Sequence, residues 1–265
     1  MRAFAPGSVT GIFAPPPPGA DRKRSRGASF ATADGVVADV RPAESVSVTL
    51  DGEPASVEPV AGVLERLGAT ARVDLELSIP IGSGFGSSGA ATLATALAAN
   101  EVFDLGHGRE ALLRAAHESE VAAGTGLGDV FIQEAGGLRW SVGEYEMRST
   151  TPPDRVEYDS LGSIATSDVL GDPETLDRIR TAGTRALDGL PDEPTMRAFT
   201  AAAWEFARAT GLVTDRLLEE VERLRDAGGA ASMAMLGETV FAVGVEGELP
   251  NATTVAPEGA RLLDG

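Results

Sequence analysis

The 265-residue chain contains no cysteine, two histidines (His107 and His117) and a single lysine, Lys23. The lack of cysteine excludes disulfides, thiolate metal sites and cysteine nucleophiles. With two histidines there is little room for histidine-rich metal sites or serine–histidine triads. We therefore expect any catalysis to rest on carboxylates, hydroxyls, arginines and backbone amides.

Long apolar runs are absent as well. Hydrophobic residues make up 43% of the chain, but no run approaches the roughly 18 residues that a membrane span needs. The N-terminal segment lacks the basic stretch and the long apolar segment of a secretory signal. These features predict a soluble protein in the cytoplasm, without a membrane partner.

Basic residues are scarce relative to acidic ones, 22 against 40, and the formal net charge is −18. Such a charge repels nucleic-acid phosphates and anionic membranes, so a nucleic-acid partner is not expected. An excess of carboxylate with almost no lysine suits a surface that stays hydrated in concentrated salt, where screening weakens self-repulsion. We therefore expect a halophilic source.

Hydrophobic patterning and turn residues predict a mixture of strands and helices. A strand over residues 2–15 precedes a proline run and a charged loop at 21–26, which is either a solvated tip or a flap over phosphates or an acidic substrate. A polar, proline-containing stretch at 144–153 predicts two domains, 1–150 and 151–265. The other predicted strands are three short ones within 27–50 and those at 72–79, 161–167, 230–236 and 239–245, and the predicted helices are 57–67, 86–99, 109–123, 173–187, 194–209 and 214–227.

The most informative segment is glycine-rich and lies between a predicted strand and an alanine-rich helix: Pro80-Ile81-Gly82-Ser83-Gly84-Phe85-Gly86-Ser87-Ser88-Gly89-Ala90-Ala91. Its glycines allow tight turns that expose backbone amides, and the helix start adds unpaired N–H groups. Such an arrangement binds phosphate, and the hydroxyl of Ser87 or Ser88 can add a ligand for Mg²⁺. A flexible strand-to-helix connection is the alternative. The candidate nucleotide-binding residues are Gly82, Gly84, Gly86, Ser87, Ser88, Gly89 and Ala90.

A second candidate cluster contains an imidazole and carboxylates. His117 and Glu120 share one face of the predicted helix 109–123, and the glycine-rich turn after it can return Asp129 towards that face. Phosphoryl transfer uses one carboxylate to hold Mg²⁺ and another to accept the proton of the attacking hydroxyl. The alternative is that Glu118 and Glu120 are solvated and Asp129 caps the next helix. The residues alone leave both interpretations open.

Three segments resemble the motifs of the GHMP kinases. Residues 80–91 resemble the second motif, a proline followed by Gly-Leu-Gly-Ser-Ser-Ala-Ala, with Phe85 in place of leucine and Gly89 in place of the first alanine. Residues 5–11 resemble the first motif and residues 228–237 the glycine-rich third. The resemblance implies an α+β GHMP kinase fold, with an N-terminal ribosomal-protein-S5-like domain, a C-terminal ferredoxin-like domain and ATP between them.

The resemblance also implies roles for individual residues. It places Mg²⁺ on Ser88 and Glu120, with Glu118 as the substitute for Glu120, and makes Asp129 the catalytic base. One departure bears on this assignment, because many members have a lysine after Pro-Gly in the first motif that pairs with the catalytic aspartate. Here that position is Ser8. We expect Ser8 to contact substrate and an arginine to take over the electrostatic role.

Among these kinases the chain most resembles the archaeal pantoate kinases, through Ser-Val-Thr-Gly-Ile-Phe at 8–13, Thr-Gly-Leu-Gly-Asp-Val at 125–130 and the residues at 232–242. The implied reaction transfers the γ-phosphoryl group of ATP to the 4-hydroxyl of pantoate, an early step towards coenzyme A. Arg139 is the candidate clamp for the pantoate carboxylate, or else a surface arginine. The other candidate substrate contacts are Ser8, His117, Thr166 and Gly229.

Two other interpretations stay open at this point. One is a GHMP kinase that acts on homoserine, shikimate or mevalonate, and the other is a catalytically silent metabolite sensor on the same fold. The missing first-motif lysine keeps the sensor interpretation open, whereas the intact Glu120 and Asp129 argue against it. The sequence does not fix the oligomeric state and leaves a homodimer open.

The charge pattern generates a first testable prediction. Withdrawing salt should make the protein unfold more easily, because the carboxylates then repel one another without screening. Thermal unfolding in molar KCl and in dilute buffer measures the effect, and NaCl should act like KCl because screening depends on ionic strength. An unfolding midpoint that did not fall in dilute buffer would contradict a halophilic surface.

Overall fold

The computed structural model describes residues 1–17, 25–126, 128–143, 146–162 and 172–263. Its helices are α1 (Glu58–Leu67), α2 (Ser87–Val102), α3 (Arg109–Ala123), α4 (Asp129–Ala135), α5 (Pro173–Asp188), α6 (Met196–Thr210) and α7 (Asp215–Asp226). Its strands are β1 (Arg2–Ala14), β2 (Arg26–Pro42), β3 (Ser47–Leu50), β4 (Glu53–Ala55), β5 (Ala71–Leu77), β6 (Leu138–Val142), β7 (Glu146–Thr150), β8 (Arg155–Gly162), β9 (Ala230–Met233), β10 (Glu238–Val243), β11 (Asn251–Thr254) and β12 (Arg261–Leu263). None of the helices in these ranges is both long enough and apolar enough to cross a membrane.

The strands form two sheets. The first has the order β12-β1-β2-β5-β3-β4, with β6 paired to β2 and β7 paired to β6. The second has the order β11-β8-β10-β9 and is antiparallel throughout. The first sheet is antiparallel except for the pairing of β3 with β5. Mostly antiparallel sheets with helices on them confirm the α+β class.

Strand β2 replaces two of the three short strands predicted within 27–50. β2 continues through Gly35 without a break. The register with β1 shifts between Pro6 and Gly7 and again between Thr10 and Ile12, and such irregularities let two paired strands bend. A Cβ atom on Gly35 would lie 2.1 Å from the carbonyl oxygen of Ala5. The glycine that looked like a turn therefore permits close approach of two paired strands.

The predicted helices are confirmed to within a few residues, and polar side chains cap three of them. Asp172 accepts the backbone N–H of Thr175 at 3.1 Å at the start of α5, and the hydroxyls of Thr195 and Thr214 do the same at α6 and α7. Of the strand predicted at 161–167, residues 161 and 162 belong to β8, which begins at Arg155, and residues 163–167 lie outside the described ranges.

Helix α2 lies at the centre of the first half of the chain and is buried on all sides from Gly89 to Ala99. It packs on β1 and β2 on one side and on α1 and α3 on the other. Its alanine side chains combine high helix propensity with little bulk, so the sheet and helices approach it closely. This packing fixes where the helix begins, which is the end that follows the glycine-rich segment.

Aromatic side chains join the two sheets. Phe30 of β2 contacts Phe241 of β10, with ring centroids 5.6 Å apart, and Phe199 of α6, with centroids 6.0 Å apart. Such edge-on pairs add to the burial of large apolar surfaces. The first sheet takes β1–β7 together with β12, and the second sheet begins with β8. A division into residues 1–150 and 151–265 remains our proposal.

Glu157 of β8 is a buried carboxylate that holds a turn of the second half. It accepts backbone N–H groups from Gly247 at 2.7 Å, Glu248 at 2.9 Å and Leu249 at 3.1 Å. Burial raises the pKa of Glu157, but these three hydrogen bonds and one from Arg155 outweigh it, so the pKa is lowered. The carboxylate is therefore ionised in the folded protein.

Replacing this carboxylate should destabilise the fold. Glu157→Gln should lower the free energy of unfolding at neutral pH by about 1–3 kcal/mol, because an amide cannot accept all three N–H groups. A carboxylate with a lowered pKa stabilises the protein above its unfolded pKa, and that stability is lost as pH falls through the folded pKa. Denaturant unfolding should therefore show the gap between wild type and variant narrowing in acid. Glu65→Gln on the exposed face of α1 is the control, and an equal loss there would refute the assignment.

Candidate active site

The glycine-rich loop joins β5 to α2 through backbone conformations that favour glycine. Gly82, Gly84 and Gly86 have φ angles of 68°, 83° and 62°. Gly86 is also the N-cap of α2, where a Cβ atom would lie 2.5 Å from Ser8 Oγ and 2.7 Å from Gln133 Nε2. A larger residue is therefore excluded there both by conformation and by space.

The start of α2 presents backbone N–H groups. Ser87, Ser88 and Gly89 occupy the first turn, whose N–H groups have no acceptor within the helix. The N–H group of Ala90 already bonds the carbonyl oxygen of Gly86 at 3.0 Å. Ala90 is thus a packing residue whose amide is not free, while the three preceding amides fit an anion.

Neighbouring segments hold the loop in place. The backbone N–H of Ser8 donates to the carbonyl oxygen of Phe85 at 2.9 Å. The buried ring of Phe85 lies against Tyr158 of the second sheet, with centroids 4.5 Å apart. Gly237 packs so closely that a Cβ atom there would lie 2.5 Å from the carbonyl oxygen of Ser83. The loop is therefore fixed between β1 and the second half of the chain.

Glu120 of α3 is buried, and three hydroxyl groups orient its carboxylate. Ser88 Oγ donates to Oε1 at 2.8 Å, Thr92 Oγ1 donates to Oε1 at 2.9 Å, and Thr125 Oγ1 donates to Oε2 at 2.9 Å. Over the described ranges, no arginine pairs with this carboxylate. Oxygen donors around an acidic group without a basic partner fit Mg²⁺, which prefers hard oxygen ligands.

Glu118, considered as a substitute for Glu120, faces away from this cluster. Its exposed carboxylate pairs with Arg66 of α1 at 3.1 Å. Residues 118 and 120 are two apart on the helix, so their side chains lie on different faces. The geometry therefore favours Glu120 over Glu118.

Asp129 is the first residue of α4, and its side chain is half-buried. Ser8 Oγ donates to Oδ1 at 3.2 Å. Burial raises the pKa of Asp129 to about 6; the hydrogen bond from Ser8 opposes this rise, the negative charge of Glu120 adds to it, and a hydrogen bond from Thr10 opposes it. We expected an arginine to take the place of the family lysine beside Asp129. Among the described residues no arginine pairs with Asp129, and the neutral hydroxyl of Ser8 contacts it instead.

The two carboxylates face the same glycine. A Cβ atom on Gly126 would lie 2.9 Å from Glu120 Oε2 and 3.8 Å from Asp129 Oδ2. His117 joins them on the wall of one small cleft and contacts the ring of Phe131, with ring centroids 4.9 Å apart. The structure thus brings together the imidazole and the two carboxylates that the sequence placed as candidates.

Arg139 lies on the same sheet as Ser8, two strands away. It pairs with Ser29 of β2, which in turn pairs with Thr10 of β1. Because paired neighbours project from the same face, this row leads from the contacts of Asp129 to Arg139. The Arg139 Nε atom is buried without a hydrogen-bond partner among the described residues.

One candidate, Gly229, lies apart from the cluster. Gly229 lies just before β9, where its N–H bonds the carbonyl oxygen of Leu224 at 3.0 Å and a Cβ atom would lie 2.6 Å from Val245. Residues 234–237, beyond the other end of β9, are the part of the third motif that meets the loop. Thr166 lies outside the described ranges.

Four side chains of the cluster were not predicted from the sequence: Thr10, Thr92, Thr125 and Gln133. Helical spacing was the available signal for two of them. Thr92 follows Ser88 by four residues, and Gln133 follows Asp129 by four, so each shares a helix face with a residue that was identified. The other two depend on the pairing of β1 and on the turn after α3.

The raised pKa of Asp129 predicts a gain in stability on neutralisation. A carboxyl group whose pKa rises from 3.8 to about 6 on folding opposes folding once it ionises, so the cost appears as pH rises through that window. Asp129→Asn should therefore unfold with a free energy about 1–3 kcal/mol higher above pH 6, allowing for partial solvent exposure.

Denaturant unfolding of the protein without nucleotide or metal measures this difference. It should vanish in acid, where the wild-type carboxyl is protonated in both states. Asp104→Asn is a suitable control because the residue is exposed and asparagine tolerates its left-handed backbone. A variant at position 129 that was less stable than wild type above pH 6 would contradict the assignment.

Comparison with known proteins gives consistent matches. Residues 56–137 match the family model of the GHMP kinases N terminal domain. The chain is 30% identical to the pantoate kinase of Methanocaldococcus jannaschii over 95% of this chain and 96% of the relative. It is 30% identical to the pantoate kinase of Thermococcus kodakarensis over 92% and 87%. A solved structure, a phosphotransferase related to the CoA biosynthesis pathway, superposes with a TM-score of 0.83 at 27% identity, covering 98% of this chain and 97% of that one.

Proposed function

We propose, because the chain belongs to the GHMP kinases and among them to the pantoate kinase family, that it transfers the γ-phosphoryl group of ATP to the 4-hydroxyl of pantoate. The products are 4-phosphopantoate and ADP. The observation that carries the proposal is the convergence of Ser88, Glu120 and Asp129 beside the first turn of α2, in a chain similar to pantoate kinases over nearly its whole length.

The phosphates of ATP fit the first turn of α2. The free N–H groups of Ser87, Ser88 and Gly89 and the positive end of the helix dipole face an anion there. Contacts from β1 and from residues 234–237 hold the loop before any ligand arrives. Little reorganisation is then needed when charge builds up on the phosphoryl group.

Ser88 and Glu120 would hold the metal. When bound, Mg²⁺ neutralises phosphate charge and brings the phosphate oxygens into register for transfer. The hydroxyls of Thr92 and Thr125 keep the Glu120 carboxylate in one orientation. Their role is to fix the ligand rather than to bind the nucleotide.

Asp129 accepts the proton of the attacking hydroxyl. Its pKa of about 6 lies closer to neutrality than that of an ordinary aspartate, which suits a general base. Ser8 donates to Oδ1, and Oδ2 lies on the side of Gly126, where the substrate hydroxyl would approach. Arg139 would bind the pantoate carboxylate, and His117 a substrate hydroxyl. Thr166 stays a predicted contact, and nothing in the geometry supports a substrate role for Gly229.

The alternatives are less well supported. A silent sensor has no need for two like charges facing one glycine, and the Ser8 hydroxyl supplies a partner for Asp129 where the lysine is missing. Homoserine, shikimate and mevalonate remain the acceptors to test against pantoate. The halophilic and archaeal source, the cytoplasmic location and a homodimer stay predictions.

If the chain is a pantoate kinase, pantoate should be its best phosphoryl acceptor. Coupled ADP release with ATP and Mg²⁺ should be fastest with pantoate, in molar KCl as well as in dilute buffer. Asp129→Ala should lower kcat by about 10²–10⁴-fold, because the general base is lost, while ATP affinity stays nearly unchanged. Glu118→Gln is the matched control, since Glu118 pairs with Arg66 at the surface. Faster turnover with another acceptor, or an active Asp129→Ala variant, would refute the assignment.

A further inference from the structure

Gln133 of α4 is buried completely, one helical turn after Asp129. Its Nε2 atom donates to the carbonyl oxygen of Gly86 at 2.7 Å and lies 3.3 Å from Ser8 Oγ. A carbonyl oxygen can only accept, so the contact with Gly86 requires the nitrogen of the amide to face the loop. The same nitrogen must then act as the donor to Ser8.

This donor fixes the direction of the next hydrogen bond. Ser8 Oγ accepts from Gln133, and its own proton is left for Asp129 Oδ1 at 3.2 Å. A serine hydroxyl without such a donor is free to rotate and to accept a hydrogen bond instead of donating one. Gln133 therefore reaches Asp129 through Ser8 and reaches the glycine-rich loop through Gly86.

Two glycines leave the space that this amide occupies. A Cβ atom on Gly86 would lie 2.7 Å from Nε2, and one on Gly89 would lie 2.9 Å from Oε1. Both distances are too short for unstrained contact. Gly89 is also the position at which the GHMP motif has alanine, and Ser8 is the position at which it has lysine. Ser8 and Gly89, two residues that differ from the motifs, both lie next to the Gln133 side chain.

The amide is not required to dock α4. The main chain of Gln133 accepts the N–H of Ala260 at 2.8 Å, and Gly259 packs directly on the carbonyl group of Glu134. These contacts involve backbone atoms that a substitution at position 133 leaves in place. The side chain can thus be altered without undoing the packing of the helix.

We propose that Gln133 is a positioning residue that aligns the proton acceptor with the nucleotide loop. Its amide donates to the Gly86 carbonyl and orients the Ser8 hydroxyl so that it donates to Asp129. The position of the loop relative to the proton acceptor is thereby fixed. The effect on phosphoryl transfer rests on the proposed kinase function, whereas the contact with Gly86 does not depend on the acceptor.

A double-mutant cycle separates this role from simple core packing. Gln133→Met keeps the volume but removes both hydrogen bonds, and kcat should fall about tenfold at an unchanged KM for the acceptor. In a Ser8→Ala background, at saturating ATP·Mg²⁺, the same change should lower kcat by a smaller factor than in the wild type, because the path through Ser8 to Asp129 is already cut and only the contact with Gly86 is left to lose. Equal factors in both backgrounds, or a fully active Gln133→Met variant, would overturn the proposal.

Gly89→Ala supplies a second perturbation, which leaves Ser8 and Gln133 themselves unsubstituted but brings a methyl group to 2.9 Å from Gln133 Oε1. Alanine favours a helix over glycine, so stability should hold or rise, yet its methyl group displaces Oε1 and kcat should fall several-fold. Val221→Ala, in the buried face of α7 far from the loop, controls for stability loss and should keep the wild-type kcat. Unchanged activity of Gly89→Ala would contradict the role of Gln133.

ATP binding, measured calorimetrically without any acceptor, separates the two hypotheses. Gln133→Met should weaken ATP·Mg²⁺ binding several-fold through the loss of the Gly86 contact, even if pantoate proves to be the wrong acceptor. A wild-type enzyme that turned over no acceptor would refute the kinase proposal alone. Unchanged ATP affinity in Gln133→Met would refute the loop contact alone.

Discussion

Two like charges held near one glycine are the constraint on which the rest of the structure depends. Glu120 and Asp129 both face Gly126, and within the described residues neither forms an ion pair with an arginine. Hydroxyl groups take that place, three on Glu120 and those of Ser8 and Thr10 around Asp129. Neutral donors orient a carboxylate without cancelling its charge, so these contacts would leave the cleft suited to the divalent cation proposed above.

The architecture supplies the rigidity that this arrangement needs. Helix α2 is buried on every side, and its first turn is held by β1, by Gln133 and by the segment that follows β9. Each of these supports comes from a different part of the chain. Because the amides at the loop are already oriented, binding energy need not be used to order them.

Much of this was predictable from the sequence, and the remainder follows a physical pattern. Helices with clear periodicity and caps, such as α3 and α7, were placed within a few residues because local interactions define their ends. The course of β2 was not predicted, because Gly35 suggests a turn in the sequence, whereas in the sheet it allows β1 and β2 to approach closely. Short strands such as β6 and β12 depend on partners far along the chain, which periodicity does not reveal. At the site, the residues with a motif were found and helical spacing could have indicated Thr92 and Gln133, while Thr10 and Thr125 were recognisable only once distant segments met.

The pairing of β12 with β1 has a consequence for how the chain can be divided. Leu263 lies opposite Arg2, and Ala260 holds the main chain of the helix that begins with Asp129. A fragment cut at position 150 would lack both contacts, so neither strand β1 nor the helix that begins with Asp129 would be fully supported. During synthesis on the ribosome, the active site would likewise be completed only when these distal residues emerge, and catalytic competence would be acquired late.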